Sequence, residues 1–234
     1  MGISDEQPPL AATGWRVFRL VASVFPPVSI FDSVASAEDL QSVYELEALT
    51  NDRIRVEVGD LDLVPAEERV VGPGATPIMA AFTHINPEGS RFCSPAFGAY
   101  YAALEIETAV AETVYHREQM LAASAETAGK PIDVDMRCYV AELSGDLHDA
   151  RPWSDDHPEI LDPGSYSASQ ALGVALRSGG SNGIIYPSVR LTDGTCIAVF
   201  RPKCLANCVQ ERHLTYQWDG ERISNIYEKR AFSV

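Results

Sequence analysis

Three side chains at regular intervals could do chemistry: Arg91 in a turn-rich loop, Tyr101 ten positions on, and Glu112 eleven beyond that. A guanidinium offers a planar fork of donors suited to a pyrophosphate. A phenol offers a face for stacking a flat ring and a polar tip, and a carboxylate can stabilise positive charge developing on a ribose carbon or hold a ribose hydroxyl. Each also has an ordinary alternative as a solvated loop arginine, a core strand tyrosine and a helix-surface acid. Glu112 is the odd one, because it sits among Ala109, Val110, Ala111, Thr113 and Val114, where a carboxylate is costly to bury without a partner. A fourth residue, Ser188, follows Pro187 at the end of an apolar run, so the ladder stops and its hydroxyl can project into a cleft. A serine that satisfies a nearby backbone group is the commoner arrangement. No G-x-S-x-G elbow, G-x-G-x-x-G fingerprint or Walker A sequence occurs.

Positioning these groups requires a loop, a strand and a helix in succession. The pattern predicts a loop over Asn86–Arg91, a strand over Ala99–Leu104 and a helix over Glu107–Leu121. Upstream, residues 1–14 read as a loose polar lead-in, Trp15–Phe25 as a strand closed by Pro26-Pro27, and Ser36 with Asp39 as the cap of a helix carrying Leu40, Val43, Tyr44 and Leu49. Ile54–Val58 reads as a strand, Gly72-Pro73-Gly74 as a turn and the run PIMAAF as a short buried strand. Downstream come a turn at Gly129, a strand over Cys138–Leu143, an irregular acidic loop or flap over Ser144–Gly164, and a helix to about Arg177 capped by Ser167 with Gln170. Strands at Gly183 and Cys196 follow, then a hairpin through Asp219-Gly220, a type I′ signal. Strands and helices mix without a βαβ rhythm, which predicts an α+β fold in one domain over residues 15–234, with a largely antiparallel or split sheet.

Composition narrows the partners. The 234 residues carry a formal charge of −15 with no Lys/Arg block, which argues against direct nucleic-acid binding. No run approaches membrane length and no signal-peptide pattern opens the chain, so the expectation is a cytoplasmic protein with no membrane partner. The five cysteines suit a reducing compartment. Cys204, Cys208 and His213, with Cys196 nearby, have a loose metal-like spacing, but paired cysteines in zinc sites are usually tighter; His84, His116, His148 and His157 show no paired spacing, and no metal is assigned. The exposed hairpin edge at the C-terminus leaves a homodimer open.

The run GSRFCSPAFGAYYAALEIETAVAETVYHRE resembles the central signature of the RES domain family, roughly G-G-R-W-N-x-P-G, then a Y-L-A strand, then a helix with a Glu. SQALGVALRSGGSNGIIYPSVR resembles its later block, roughly G-x-D-G-I-x-Y-P-S-x-R, and WRVFRL its opening strand, in family order from about Val17 to Phe200. The resemblance implies an ADP-ribosyltransferase-like split sheet flanked by helices, and a toxin of a bacterial toxin–antitoxin pair that breaks down NAD, with NAD as substrate and no cofactor. It implies cleavage of the nicotinamide–ribose bond by hydrolysis or phosphorolysis, with ADP-ribose transfer to a protein as the alternative activity. A module that binds a nucleotide or partner without turnover is the non-enzymatic alternative. On this analogy Arg19 and Arg91 hold the phosphates, Tyr101 packs on nicotinamide or its ribose, Glu112 stabilises the oxocarbenium-like transition state, Ser188 orients the ribose, and an Xre-type antitoxin blocks the cleft. Phe92 and Cys93 stand where the family has Trp and Asn, and Asn182 where it has Asp.

Overall fold

The computed structural model describes residues 7–23, 30–33, 36, 39, 40, 42, 44, 58–230 and 232. Among these residues, strands β1 (Leu10–Ala22), β2 (Tyr100–Ala103), β3 (Ile132–Asp149), β4 (Gly183–Pro187), β5 (Thr195–Val199), β6 (Leu205–Trp218) and β7 (Ile223–Lys229) form one sheet in the order β1-β2-β5-β4-β3-β6-β7. Only the β3–β4 pairing is parallel, so the fold is α+β with a mixed, mostly antiparallel sheet. β1 runs beside β3 from Leu10↔His148 to Ala22↔Met136. On the other edge of β3, β6 pairs as far as Leu143 and β4 takes over at His148, which splits the sheet there. A single registered pair between β1 and β2, Phe18↔Ala103, closes β1, β2, β5, β4 and β3 into a ring.

Helices α1 (Ala75–Thr83), α2 (Ile106–Ala123) and α3 (Ser167–Ser178) cover this ring. Successive residues of a strand face opposite sides. Ile184, Tyr186, Cys196 and Ala198 accordingly join the core under α3, while Ile185, Ile197 and Val199 join the core under α1. Burial on both faces explains why β4 and β5 read as near-continuous apolar runs. α2 lies over a third cluster that includes Leu20, Ala103, Met136 and Tyr216.

Several sequence expectations need correction. The lead-in does not reach Gly14: β1 starts at Leu10, and residues 10–14 pair with Ser144–His148. The same pairing turns the first part of the expected 144–164 loop into the end of β3. PIMAAF is not a strand but most of α1, buried nearly all round, with Pro77 in the first turn where its missing N–H costs nothing. Tyr166, not Ser167, occupies the N-cap position of α3, and no side chain caps that helix. The β6–β7 hairpin forms, but Asp219 has no positive φ; its carboxylate instead accepts from the Glu221 and Arg222 amides, so the turn is not type I′. Ser36 does bond to the Asp39 amide, whereas Val43, Leu49 and residues 24–27 and 54–57 lie outside the described residues. Val58, expected at a strand end, is helical and buried.

Candidate active site

The loop before β2 is built from short-range bonds. Asn86 accepts from the Glu88 amide through its side chain and from the Gly89 amide through its carbonyl. Gly89 takes φ +76° in a place where a Cβ would lie 2.4 Å from the Cys93 carbonyl oxygen, so the turn demands glycine. Ser90 and Cys93 then close a small bridge. The Tyr101 hydroxyl ties this loop to β2: it accepts from the Phe92 amide at 2.9 Å, lies 2.8 Å from Ser90 Oγ, and donates to Cys93 Sγ at 3.7 Å. Burial pushes the Tyr101 phenol well above its ordinary pKa. Cys93 therefore fills its departure position as a partner of the tyrosine.

Arg91 is buried, and its Nη1 donates to the carbonyls of Ile160 and Asp162 at 3.3 and 3.1 Å while its guanidinium lies 4.7 Å from the Tyr166 ring centre. The arginine thus ties the 86–93 loop to the irregular segment before α3. From α3, Gln170 Nε2 donates to the Glu88 and Ser90 carbonyls, at 3.3 and 3.2 Å. Gly173 permits that closeness, since a Cβ there would stand 1.9 Å from the Phe92 carbonyl oxygen. On β1, Arg19 donates to the Tyr101 carbonyl at 2.9 Å and lies over the Tyr100 ring, and burial lowers its pKa.

Glu112 stands on α2. Ser188 Oγ accepts from the amides of Arg190 and Leu191 at 3.1 and 3.0 Å, which occupies its two lone pairs. Its single proton goes to Glu112 Oε1, at 2.6 Å. The Cys196 thiol, held protonated by burial and next by the nearby carboxylate, donates to the same oxygen at 3.6 Å. Oε1 is therefore committed to the protein, and no described residue hydrogen-bonds Oε2.

A cavity of about 420 Å³ brings Arg19, Arg91, Tyr101 and Glu112 together, within the size range of small-molecule sites, about 300–1,000 Å³. Ser188 is not on its wall; it reaches the cavity through the residues it contacts there, Glu112 foremost. Arg19, Arg91 and Arg117 line the space and Glu112 is its one acidic side chain. In a chain of net charge −15, such a cation-lined cavity suits an anionic ligand. The sequence reading missed Tyr166, Tyr186, His116 and Arg117 on the wall. For His116 the signal was available: it lies four residues after Glu112 on a helix, the spacing that puts two side chains on one face. Asn182, the other departure, is used structurally, donating to the Asp146 carbonyl. Cys204 and Cys208 are buried, and among the described residues no group of three His, Cys, Asp or Glu converges as a metal site.

A family model described as RES domain matches residues 67–219, which include Arg91, Tyr101, Glu112 and Ser188 and leave Arg19 outside. Protein y4oC of Sinorhizobium fredii (strain NBRC 101917 / NGR234), described as uncharacterized, is 31% identical over 218 residues, covering 90% of this chain and 86% of that protein. A chain in the crystal structure of the M.tuberculosis MbcT-MbcA toxin-antitoxin complex aligns over 86% of each chain with 12% identity and a TM-score of 0.46.

Proposed function

This chain belongs to the RES domain family, and from that premise we propose that it cleaves the bond between nicotinamide and ribose in NAD, as a toxin held in check by a cognate antitoxin. The observation that carries the reading is the cation-lined cavity with one carboxylate, whose Oε1 is fixed by Ser188 and Cys196. In this reaction the C1′–N bond breaks, its electron pair leaves with nicotinamide, and positive charge builds on the ribose carbon. A carboxylate held by donors on one oxygen presents the other to that charge without reorganising, which is how preorganised sites lower a barrier. Arg91 and Arg19 face the pyrophosphate, and Tyr101 offers its ring to the nicotinamide end. Ser188 acts by orienting Glu112, a different task from contact with the ribose. The ring with its split sheet and covering helices is compatible with an ADP-ribosyltransferase-like core.

Incubation of the purified protein with NAD tests this directly, with nicotinamide followed by chromatography. Free ADP-ribose marks hydrolysis, a phosphorylated ADP-ribose formed in phosphate buffer marks phosphorolysis, and label on a protein band marks transfer. Saturable NAD binding with no nicotinamide released replaces the enzyme with a binding module. Co-expression with a small helix-turn-helix protein encoded beside it tests the antitoxin: growth arrest by this chain alone, relieved by the neighbour, is the expected result.

A further inference from the structure

We propose that His116 is the catalytic base of this site, taking a proton from the water that attacks the ribose carbon. The assignment rests on the NAD-cleaving reading above and adds the acceptor side of the reaction to it. Cleavage by water needs two things: a partner for the developing positive charge, and a place for the proton that water must lose. Glu112 supplies the first, with one oxygen already bound by Ser188 and Cys196.

The other titratable groups on the wall are poor proton acceptors. The Tyr101 hydroxyl is committed to Ser90, Phe92 and Cys93, and burial keeps its phenol protonated. Burial does the same to Tyr186, and Cys196 already points its proton at Glu112. The arginines cannot accept a proton at all. His116 differs from each of these. It borders the same cavity, stands one turn from Glu112 on the same face of α2, and has no hydrogen bond to either ring nitrogen among the described residues, its ring contact being an edge-on one with Tyr115.

Burial lowers the pKa of the imidazole, which favours its neutral, proton-accepting form. Desolvation is the leading cause, felt where the ring borders the cavity, and Glu112 is the charge that works against it. Arg190 beyond β4, Arg91 on the loop and Arg117 on α2 act in the same direction as burial, each by less than Glu112 acts against it. A neutral imidazole is the protonation state a base needs at neutral pH.

In the step itself, the water oxygen bonds to C1′ as the C1′–N bond breaks. The bond's electron pair leaves with nicotinamide, and the water proton passes to a His116 ring nitrogen and then to solvent. The products are ADP-ribose and neutral nicotinamide.

His116→Gln keeps a good helix former at an exposed position, and circular dichroism checks that the variant folds. Nicotinamide release from NAD is measured in phosphate-free buffer across pH. For the wild type, kcat/KM rises with pH through an inflection below the ordinary imidazole value of about 6.5, because His116 must lose its proton to act. The variant is expected to lose that ascending limb and about a hundredfold in kcat, with KM changed by less than about threefold. Azide, an anion with no proton to give up, restores cleavage by the variant with an azido-ADP-ribose product. A variant that retains the wild-type kcat and pH limb, or a rate loss that azide does not restore, overturns the role of His116 and leaves the activity standing. A wild type that releases no nicotinamide overturns the activity itself, and this assignment with it.

Discussion

The two walls of the cavity are built on opposite plans. On the wall formed by the 86–93 loop and β2, Tyr101 Oη, Ser90 Oγ and Arg91 Nη1 are bonded to the protein itself, mostly to main-chain groups close by or on the adjoining 160–162 segment. On the α2 wall, Glu112 is held by side chains 76 and 84 residues away, and among the described residues His116 makes a ring contact with Tyr115 but no hydrogen bond. The first wall is a network of bonds within the protein; the second, on the proposed reading, holds the reacting atoms and leaves them partly uncommitted. Substitutions on the first should therefore change binding and stability, and those on the second should change the rate.

Four variants sharpen or break that contrast. Glu112→Gln keeps size and removes charge, so kcat for nicotinamide release should fall by about a thousandfold while the Kd for NAD, from calorimetry on the variant, moves by less than about threefold. Equal losses in both would erase the distinction between the walls. Ser188→Ala removes the donor to Oε1 and leaves the Arg190 and Leu191 amides without their acceptor, so kcat should drop by about ten- to a hundredfold, with KM nearly constant. Arg91→Ala should act the other way, raising KM about tenfold through a lost charge-assisted contact with a phosphate, with a smaller change in kcat. Tyr101→Phe should have the smallest kinetic effect. It strips the Phe92 amide of its acceptor and costs about 1–3 kcal/mol of stability, read as a lowered midpoint in urea unfolding.

The same division decides what could be read from the residues in order. The loop–strand–helix succession around Arg91, Tyr101 and Glu112 was legible, because each element carries its own turn or periodicity. The misplacement of Glu112 in apolar company was legible as an oddity and Ser188 as a hydroxyl at a strand end, but not their bond, because the two meet only once β4 is seated beside β5 in the sheet. Residues 10–14 and 144–148 failed for a related reason. Neither segment carries the alternating apolar and polar residues of a half-buried strand, and the long register between β1 and β3 is what extends both. PIMAAF failed because a short apolar run, buried nearly all round, shows no period that separates helix from strand. Gln170 was legible as a helix-start residue, yet its amide reaches across to the Arg91 loop, a use that only the closeness of Gly173 to Phe92 explains.

The ring of strands joins at one rung, Phe18↔Ala103, and the cavity is lined by residues on either side of that rung, Phe18–Val21 on β1 and Tyr101–Ala103 on β2. The opening and the unfinished seam are one feature. Further rungs along it would draw β1 and β2 together across residues that now line the cavity, so sheet closure and open space draw on the same few peptide groups.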